Sequence, residues 1–246
     1  MRNRERRNRK RTRRILGLVI VSVMIVGILQ GCEPKAEKAV FKTFQNALHL
    51  EEKIPQKMKE WQEAEKMNAH LYQQIMQVGT KSREEATSLI TKALQLTDKR
   101  GQLMADQVSM FDMVWNEVQK NEEKIKQLKD SVTKNEAMKI MVLFKERQET
   151  NKKIDVAYQE ALQSERKMYQ QLLIKETTIK AIRVEIQQVN QLFNRVTSLQ
   201  QQFNEQTKKL NEAKDRINKS KDISKKGAQS AHNLQVVPVF FIGFVR

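Results

Sequence analysis

From Val40 onward, apolar residues recur in steps of three and four: Val40, Phe44, Ala47, Leu50, Ile54, Met58, Trp61, Ala64, Met67, Leu71, Ile75 and Val78. That spacing draws one stripe along a single long helix, predicted over about 36–78. Pro55 falls inside the stripe and predicts a kink that does not end the pattern. Gly79 is expected to supply a left-handed C-terminal cap, and Ser82 with Glu85 three residues later forms a capping box. A second helix, about 83–131, carries Ile90, Ala93, Leu96, Met104, Val108, Phe111, Trp115, Val118, Ile125 and Leu128. Its stripe is interrupted at Arg100-Gly101 and at Glu122, where water or a partner is expected to enter. Thr133 with Glu136 repeats the capping-box spacing and opens a third helix, about 134–175, whose middle is polar at Gln148 and Asn151.

Periodicity then continues through Ile179, Ile182, Ile186, Val189, Phe193, Val196, Leu199, Phe203, Leu210 and Ile217. One unbroken helix over this length would leave its distal half without a partner. A turn is therefore expected at Glu176-Thr177-Thr178, with a threonine as N-cap of a fourth helix, about 178–220. Four helices of similar length joined by short connections predict an all-α fold, an elongated antiparallel four-helix up-and-down bundle. A spacing close to 3.5 residues predicts left-handed, coiled-coil-like packing. Stripes of this kind also zip between chains, so the spacing leaves oligomeric state open.

Upstream of this pattern the chain changes character. Residues 2–14 are strongly basic, and Ile15–Leu29 is an apolar run without one charge, shorter than the roughly 20 residues a spanning helix needs. Leu29-Gln30-Gly31-Cys32 follows and resembles a bacterial lipobox. In that chemistry the Cys32 thiol takes a diacylglyceryl group as a thioether, small Gly31 gives the signal peptidase access to the bond before Cys32, and Leu29 fills an apolar subsite. Gln30 departs from the small residue usual at its position. The expectation is a cleaved signal peptide over 1–31 and a mature domain over 32–226, held by lipid on the extracytoplasmic face of the cell membrane. The alternative is an uncleaved signal anchor with an incidental cysteine. Residues 227–246 form an irregular apolar tail, Val236-Val237-Pro238-Val239-Phe240-Phe241-Ile242-Gly243-Phe244-Val245, outside the helical pattern. A divergent end without a role is expected there, with an apolar hook onto bilayer or partner as the sharper alternative.

Composition agrees with few turns: 7 Gly and 3 Pro in 246 residues, well below average usage. The formal net charge of +17 has to be divided. Residues 1–14 hold nine of the 46 Lys+Arg and one of the 29 acids, which leaves 37 basic against 28 acidic residues, +9, from Cys32 onward. That excess is spread along helices instead of gathered into a nucleic-acid footprint, and no nucleic-acid partner is expected. Attraction to anionic wall polymers or lipid headgroups is compatible with it. One cysteine excludes an intrachain disulfide.

Catalytic chemistry is hard to assemble from these residues. His49, His70 and His232 lack metal-ligand spacing, the only thiol is spoken for by lipid, and there is neither a phosphate-binding glycine loop nor a nucleophile elbow. Carboxylates alternate with lysines on helix faces, where solvated surface pairs are the default meaning. No enzymatic activity, no cofactor and no metal are expected. Trp61 and Trp115 lie on core stripes with Tyr72, Tyr158 and Tyr169 beside them, so they read as core residues before sugar platforms.

With helices and lipobox placed, the chain resembles the YkyA-like family of Bacillus and Staphylococcus relatives, described as cell-wall-binding lipoproteins. The resemblance runs from Cys32 to about Lys219. It is clearest in Leu71-Tyr72-Gln73-Gln74-Ile75-Met76-Gln77-Val78-Gly79, in Ser82 to Leu94, and in the Thr-x-x-x-Ile pattern at Thr178–Ile182. It implies an elongated helical bundle and brings no catalytic residues; the tail after Lys226 departs from it. The expected function is a non-enzymatic, lipid-anchored spacer that contacts peptidoglycan or anionic wall polymers. The alternative is an extracytoplasmic scaffold that docks a wall or membrane protein at the interrupted stripes near Arg100 and Asn151.

Overall fold

The computed structural model describes residues 35–79 and 81–222, with side chains over 36–79 and 81–216. Among these residues there is no strand; six helices make four long arms. They are α1 (Lys35–Glu51), α2 (Ile54–Val78), α3 (Arg83–Gln119), the short α4 (Glu122–Lys126), α5 (Ser131–Leu173) and α6 (Ile179–Asp222). At 1.5 Å per residue the longest arm extends roughly 65 Å.

The first arm is two helices where the stripe predicts one. Pro55 lies in the first turn of α2. It has no N–H to give Glu51, and its ring crowds that residue's carbonyl, so the ladder breaks at Glu52-Lys53 while the apolar pattern carries on. The direction of the arm is kept. Phe44 stacks on Phe144, Glu51 pairs with Arg147, Trp61 meets Tyr158 and Asn68 meets Glu165, so partners on the first arm and α5 rise together. On α1/α2 against α3 the order reverses: Val40 pairs with Asn121, Asn46 with Glu117 and Glu65 with Arg100. It reverses again between α3 and α5, through Asp98–Arg166 and Asp112–Gln148, and between α5 and α6, through Gln171–Glu185 and Glu136–Arg216.

The remaining boundaries shift by a few residues for identifiable reasons. Ser82 caps α3 as expected, its hydroxyl accepting the Glu85 N–H at 3.4 Å. The predicted second helix, about 83–131, stops at Gln119; α4 and a turn follow. Asp130, three residues ahead of the expected Thr133, caps α5 by accepting the Thr133 N–H at 2.7 Å. An aspartate there is the stronger cap, so α5 begins at Ser131 where the spacing predicts about 134. Thr178 accepts the Ala181 N–H at 3.2 Å and opens α6.

Gly79 ends α2 with φ 47° and ψ −123°, a positive φ outside the left-handed helical region that was expected. An L side chain is strained at that φ. Gly79→Ala is expected to cost roughly 1–2 kcal/mol, read as a lower urea midpoint with an unchanged m-value.

The core is continuous from Val40 to Ala213. Along α2 the buried stripe passes through Trp61, Glu65, Asn68 and Tyr72; Met67, expected on it, is 58% exposed. Ile179 is likewise 77% exposed, while Ile182 begins the buried face of α6.

Candidate functional site

Two buried polar clusters lie on the axis of the fold, and the first occupies the interruption at Arg100. The guanidinium is 1% exposed. Its Nε and Nη2 donate to Glu65 at 3.0 and 2.9 Å, and its Nη1 donates to Glu165. Tyr158 also donates to Glu65 and accepts the Trp61 indole N–H at 2.9 Å. On the other carboxylate, Glu165 accepts from Asn68 at 2.6 Å, and Asn68 in turn accepts from Tyr169 at 3.2 Å. Three arms thus close around one cation and two carboxyl groups. Arg100 was expected to admit water or a partner; the neighbouring arms fill the position from inside.

Burial raises the Glu165 carboxyl above its ordinary range, with Arg100 opposing and Glu65 adding to the shift. Burial works to lower the Arg100 pKa, but Glu165, Tyr158 and Glu65 outweigh it and hold the cation firmly charged. Burial also pushes the Tyr158 and Tyr169 hydroxyls well up, away from the acid range. A carboxyl with a raised folded-state pKa binds its proton more tightly folded than unfolded. Its stabilising contribution is complete below the unfolded value and fades as pH rises through the folded one. Relative to Glu165→Gln, the wild-type protein should therefore hold its largest margin below the ordinary glutamate range and lose it as pH rises through and above that range. Urea midpoints of the two proteins across pH read this out; a constant difference would mean that Glu165 titrates as it does in the unfolded chain.

The second cluster occupies the polar middle of α5. Arg147, buried, pairs with Glu51, donates to Thr207 Oγ1 at 3.0 Å and lies over the rings of Phe203, Phe111 and Phe144 at 4.9, 5.6 and 6.0 Å. Beside it Gln107 donates to Asn151 at 3.2 Å and Gln148 to Asp112 at 2.6 Å. Asn151, the other expected docking position, is therefore also taken up internally.

The aromatic residues divide. Trp61, Tyr72, Tyr158 and Tyr169 are buried, and Trp115 packs half-buried against the core. His49 sits exposed beside Glu52 at 3.0 Å. Among the described residues no three His, Cys, Asp or Glu side chains converge to hold a metal, and no helix is long and apolar enough to cross a membrane. The expected lipidation site Cys32, the recognition residues Leu29, Gln30 and Gly31, His232 and the apolar tail over 227–246 lie outside the described residues. Periodicity passed over Glu65, Asn68 and Glu165, which were read with the solvated carboxylates and amides. A signal was present: Trp61, Glu65, Asn68 and Tyr72 follow steps of four, three and four, a core register held by polar residues.

The surface is organised by ends. Val40 and Asn121 meet at one end, near the start of α1 and the α4 connection, and Glu136 and Arg216 meet there too. The Gly79 turn and the 174–178 connection form the other end, where Arg83 donates to the Leu173 carbonyl at 3.1 Å. This second end exposes Lys81, Lys175, Lys180 and Arg183. Between the ends, a groove of about 330 Å³ runs along the α3–α5 seam beside Gly101.

Long helical arms with internally neutralised charges define an all-α protein of the extended helical type. The family model described as "Putative cell-wall binding lipoprotein" matches residues 35–220, and the chain belongs to this family, YkyA. The family's description assigns it to lipoproteins, and with them to the cell surface. No curated protein and no solved structure matches it.

Proposed function

We propose that this protein is a non-enzymatic spacer, anchored by a diacylglyceryl group on Cys32, that reaches from the membrane into the cell wall and binds anionic polymers there. The architecture in this reading is a left-handed antiparallel four-helix up-and-down bundle. The alternating order of partners between successive arms supports it, as does the near-3.5 spacing of the stripes.

The observation that carries the functional reading is the end of the rod opposite the start of α1. Lys35 is three residues from Cys32, so a lipid on Cys32 places the α1 end at the bilayer and the Gly79 end roughly 65 Å away. Lys81, Arg83, Lys175, Lys180 and Arg183 are exposed around this end, in the two connections and the first turns that follow them, against Glu84, Glu85 and Glu176, an excess of two positive charges. A cationic tip gains affinity from polyphosphate or polycarboxylate chains through on-rate and counterion release, both of which fall with salt. Catalysis has no support in the two buried clusters, whose charges are consumed by each other and closed to substrate.

The full chain, held in mild detergent, is expected to sediment with isolated walls, and to be released by salt or by prior removal of anionic polymer. Lys175→Glu with Lys180→Glu should weaken that binding about tenfold, the two charge reversals acting at the tip alone. Absence of binding at low salt would discard the wall reading. A scaffold reading draws on one observation, the exposed Ile174 and Ile179 beside the same cations. Stoichiometric crosslinking of one membrane or wall protein at that tip would favour it.

A further inference from the structure

The groove beside Gly101 is lined by one acid, one base and three glutamines. Resting on the wall-contact reading, we infer that it is a subsite for a neutral, N-acetylated oligosaccharide, distinct from the cationic tip. Arg166 and Asp98 pair across its rim, so its only two formal charges cancel. A polyanion gains nothing there, on a chain that is otherwise basic. The remaining polar walls are the Thr97 hydroxyl, which donates to the Ala93 carbonyl at 2.9 Å, and the amides of Gln102, Gln159 and Gln163, groups that both donate and accept. Such a set matches sugar hydroxyls and an acetamido group, while Leu162 offers apolar contact to ring C–H and the acetyl methyl.

Gly101 belongs to the lining of the groove. It lies in the interior of the 37-residue α3, where glycine costs roughly 1 kcal/mol relative to alanine. Packing explains that choice only in part. A Cβ built at Gly101 would meet Gln159 Oε1 at 3.3 Å and Leu162 Cδ1 at 3.5 Å, and the first is the end of a flexible side chain. What the missing side chain permits is the close approach of α5, whose Gln159 Nε2 donates to the Gly101 carbonyl at 3.3 Å and is held in place by it. Gln159 Nε2 is further tied to Asp155 at 3.1 Å, whereas the exposed Gln163 amide has no intramolecular partner among the described residues. Two amides are thus pre-positioned, Gln159 and Gln102, the latter donating to Asp106 at 2.9 Å, and Gln163 is free to engage a ligand. No aromatic platform lines the groove, so single-site affinity is weak and depends on hydrogen bonds.

The test is a titration of the full chain in detergent with a tetrasaccharide of N-acetylglucosamine, beside polyglycerol phosphate as the anionic probe. The tetrasaccharide should bind saturably and with little dependence on salt. Gly101→Leu, which fills the groove, should weaken it by at least about tenfold, and Gln163→Ala by about threefold. Both variants should keep the wild-type response to polyglycerol phosphate. Absence of saturable tetrasaccharide binding by the wild-type protein overturns the inference, and so does an unchanged affinity in a folded Gly101→Leu variant. Should Gly101→Leu lose its helical circular dichroism, Gln163→Ala decides, and undiminished binding by it counts against the groove. Failure of the wall reading looks different: the wild-type protein then binds neither walls nor polyglycerol phosphate.

Discussion

Arg100→Met should cost about 3–5 kcal/mol, the range found when one partner of a buried ion pair is removed. For a domain whose whole stability is of order 5–15 kcal/mol, that is about a fifth of the total or more. The size follows from what stays behind. Glu65 and Glu165 would remain inside the core, accepting from Tyr158 and Asn68 but without their cation, and each must then take up a proton or draw in water. Replacing the whole charged set is expected to act in the opposite direction. Arg100→Met combined with Glu65→Gln and Glu165→Gln leaves amides able to accept the same tyrosine and asparagine bonds, and should recover most of the loss. Urea unfolding of the single and triple variants gives both numbers from midpoints at constant m. A loss below about 1 kcal/mol in Arg100→Met would mean that water already reaches the two carboxyls and that the cluster is not the dry pair its burial describes.

This cluster also marks how far the sequence could be read. Arms, turns and most core positions follow from three- and four-residue steps, because a helix has one period and its buried face must repeat with it. The Ser82 cap and the Thr178 start were legible for the same local reason, since an oxygen acceptor at an N-cap depends on its own next three residues. What pairs with what was not legible. Glu65 and Glu165 are 100 positions apart in the chain, and although the register of Trp61, Glu65, Asn68 and Tyr72 sets Glu65 apart from Glu60, which meets Lys57 on the surface, nothing near either carboxylate names its partner. Only packing the arms brings both onto Arg100. The groove at Gly101 was hidden in the same way. An interrupted stripe can mean an opening or an internal partner, and here both residues meet neighbouring arms: Arg100 turns inward to carboxylates, and Gly101 lets Gln159 and Leu162 of α5 come close. Pro55 shows the reverse case, where the local signal was strong but its consequence depended on degree, since a break in the ladder and a kink preserve the same stripe.

The break at Pro55 is where the second large effect is expected. Glu51 is the last residue of α1, and its carboxylate is held by Arg147, which also bonds Thr207 on α6 and lies over Phe111 of α3 and Phe203 of α6. One side chain therefore fastens the end of α1 to the three other arms at the level where the backbone ladder fails. Arg147→Met should cost about 3 kcal/mol, from an unpaired buried carboxylate together with lost contact to three rings. Arg147→Lys keeps the charge, but not the planar fork that reaches Glu51 and Thr207 at once, and should cost about 1–2 kcal/mol. The loss should also have a local signature. Lys53 is exposed in the two-residue link, and trypsin cleavage after it requires that link to open. In Arg147→Met that cut should accelerate more than cuts within α3 or α5, because the pin is removed at the break and nowhere else. Equal acceleration everywhere would assign Arg147 to global stability alone. A faster cut at Lys53 with a small change in urea midpoint would instead make the Glu51–Arg147 pair a clamp on the first arm, so that α1, the segment nearest Cys32, could swing while the other arms hold.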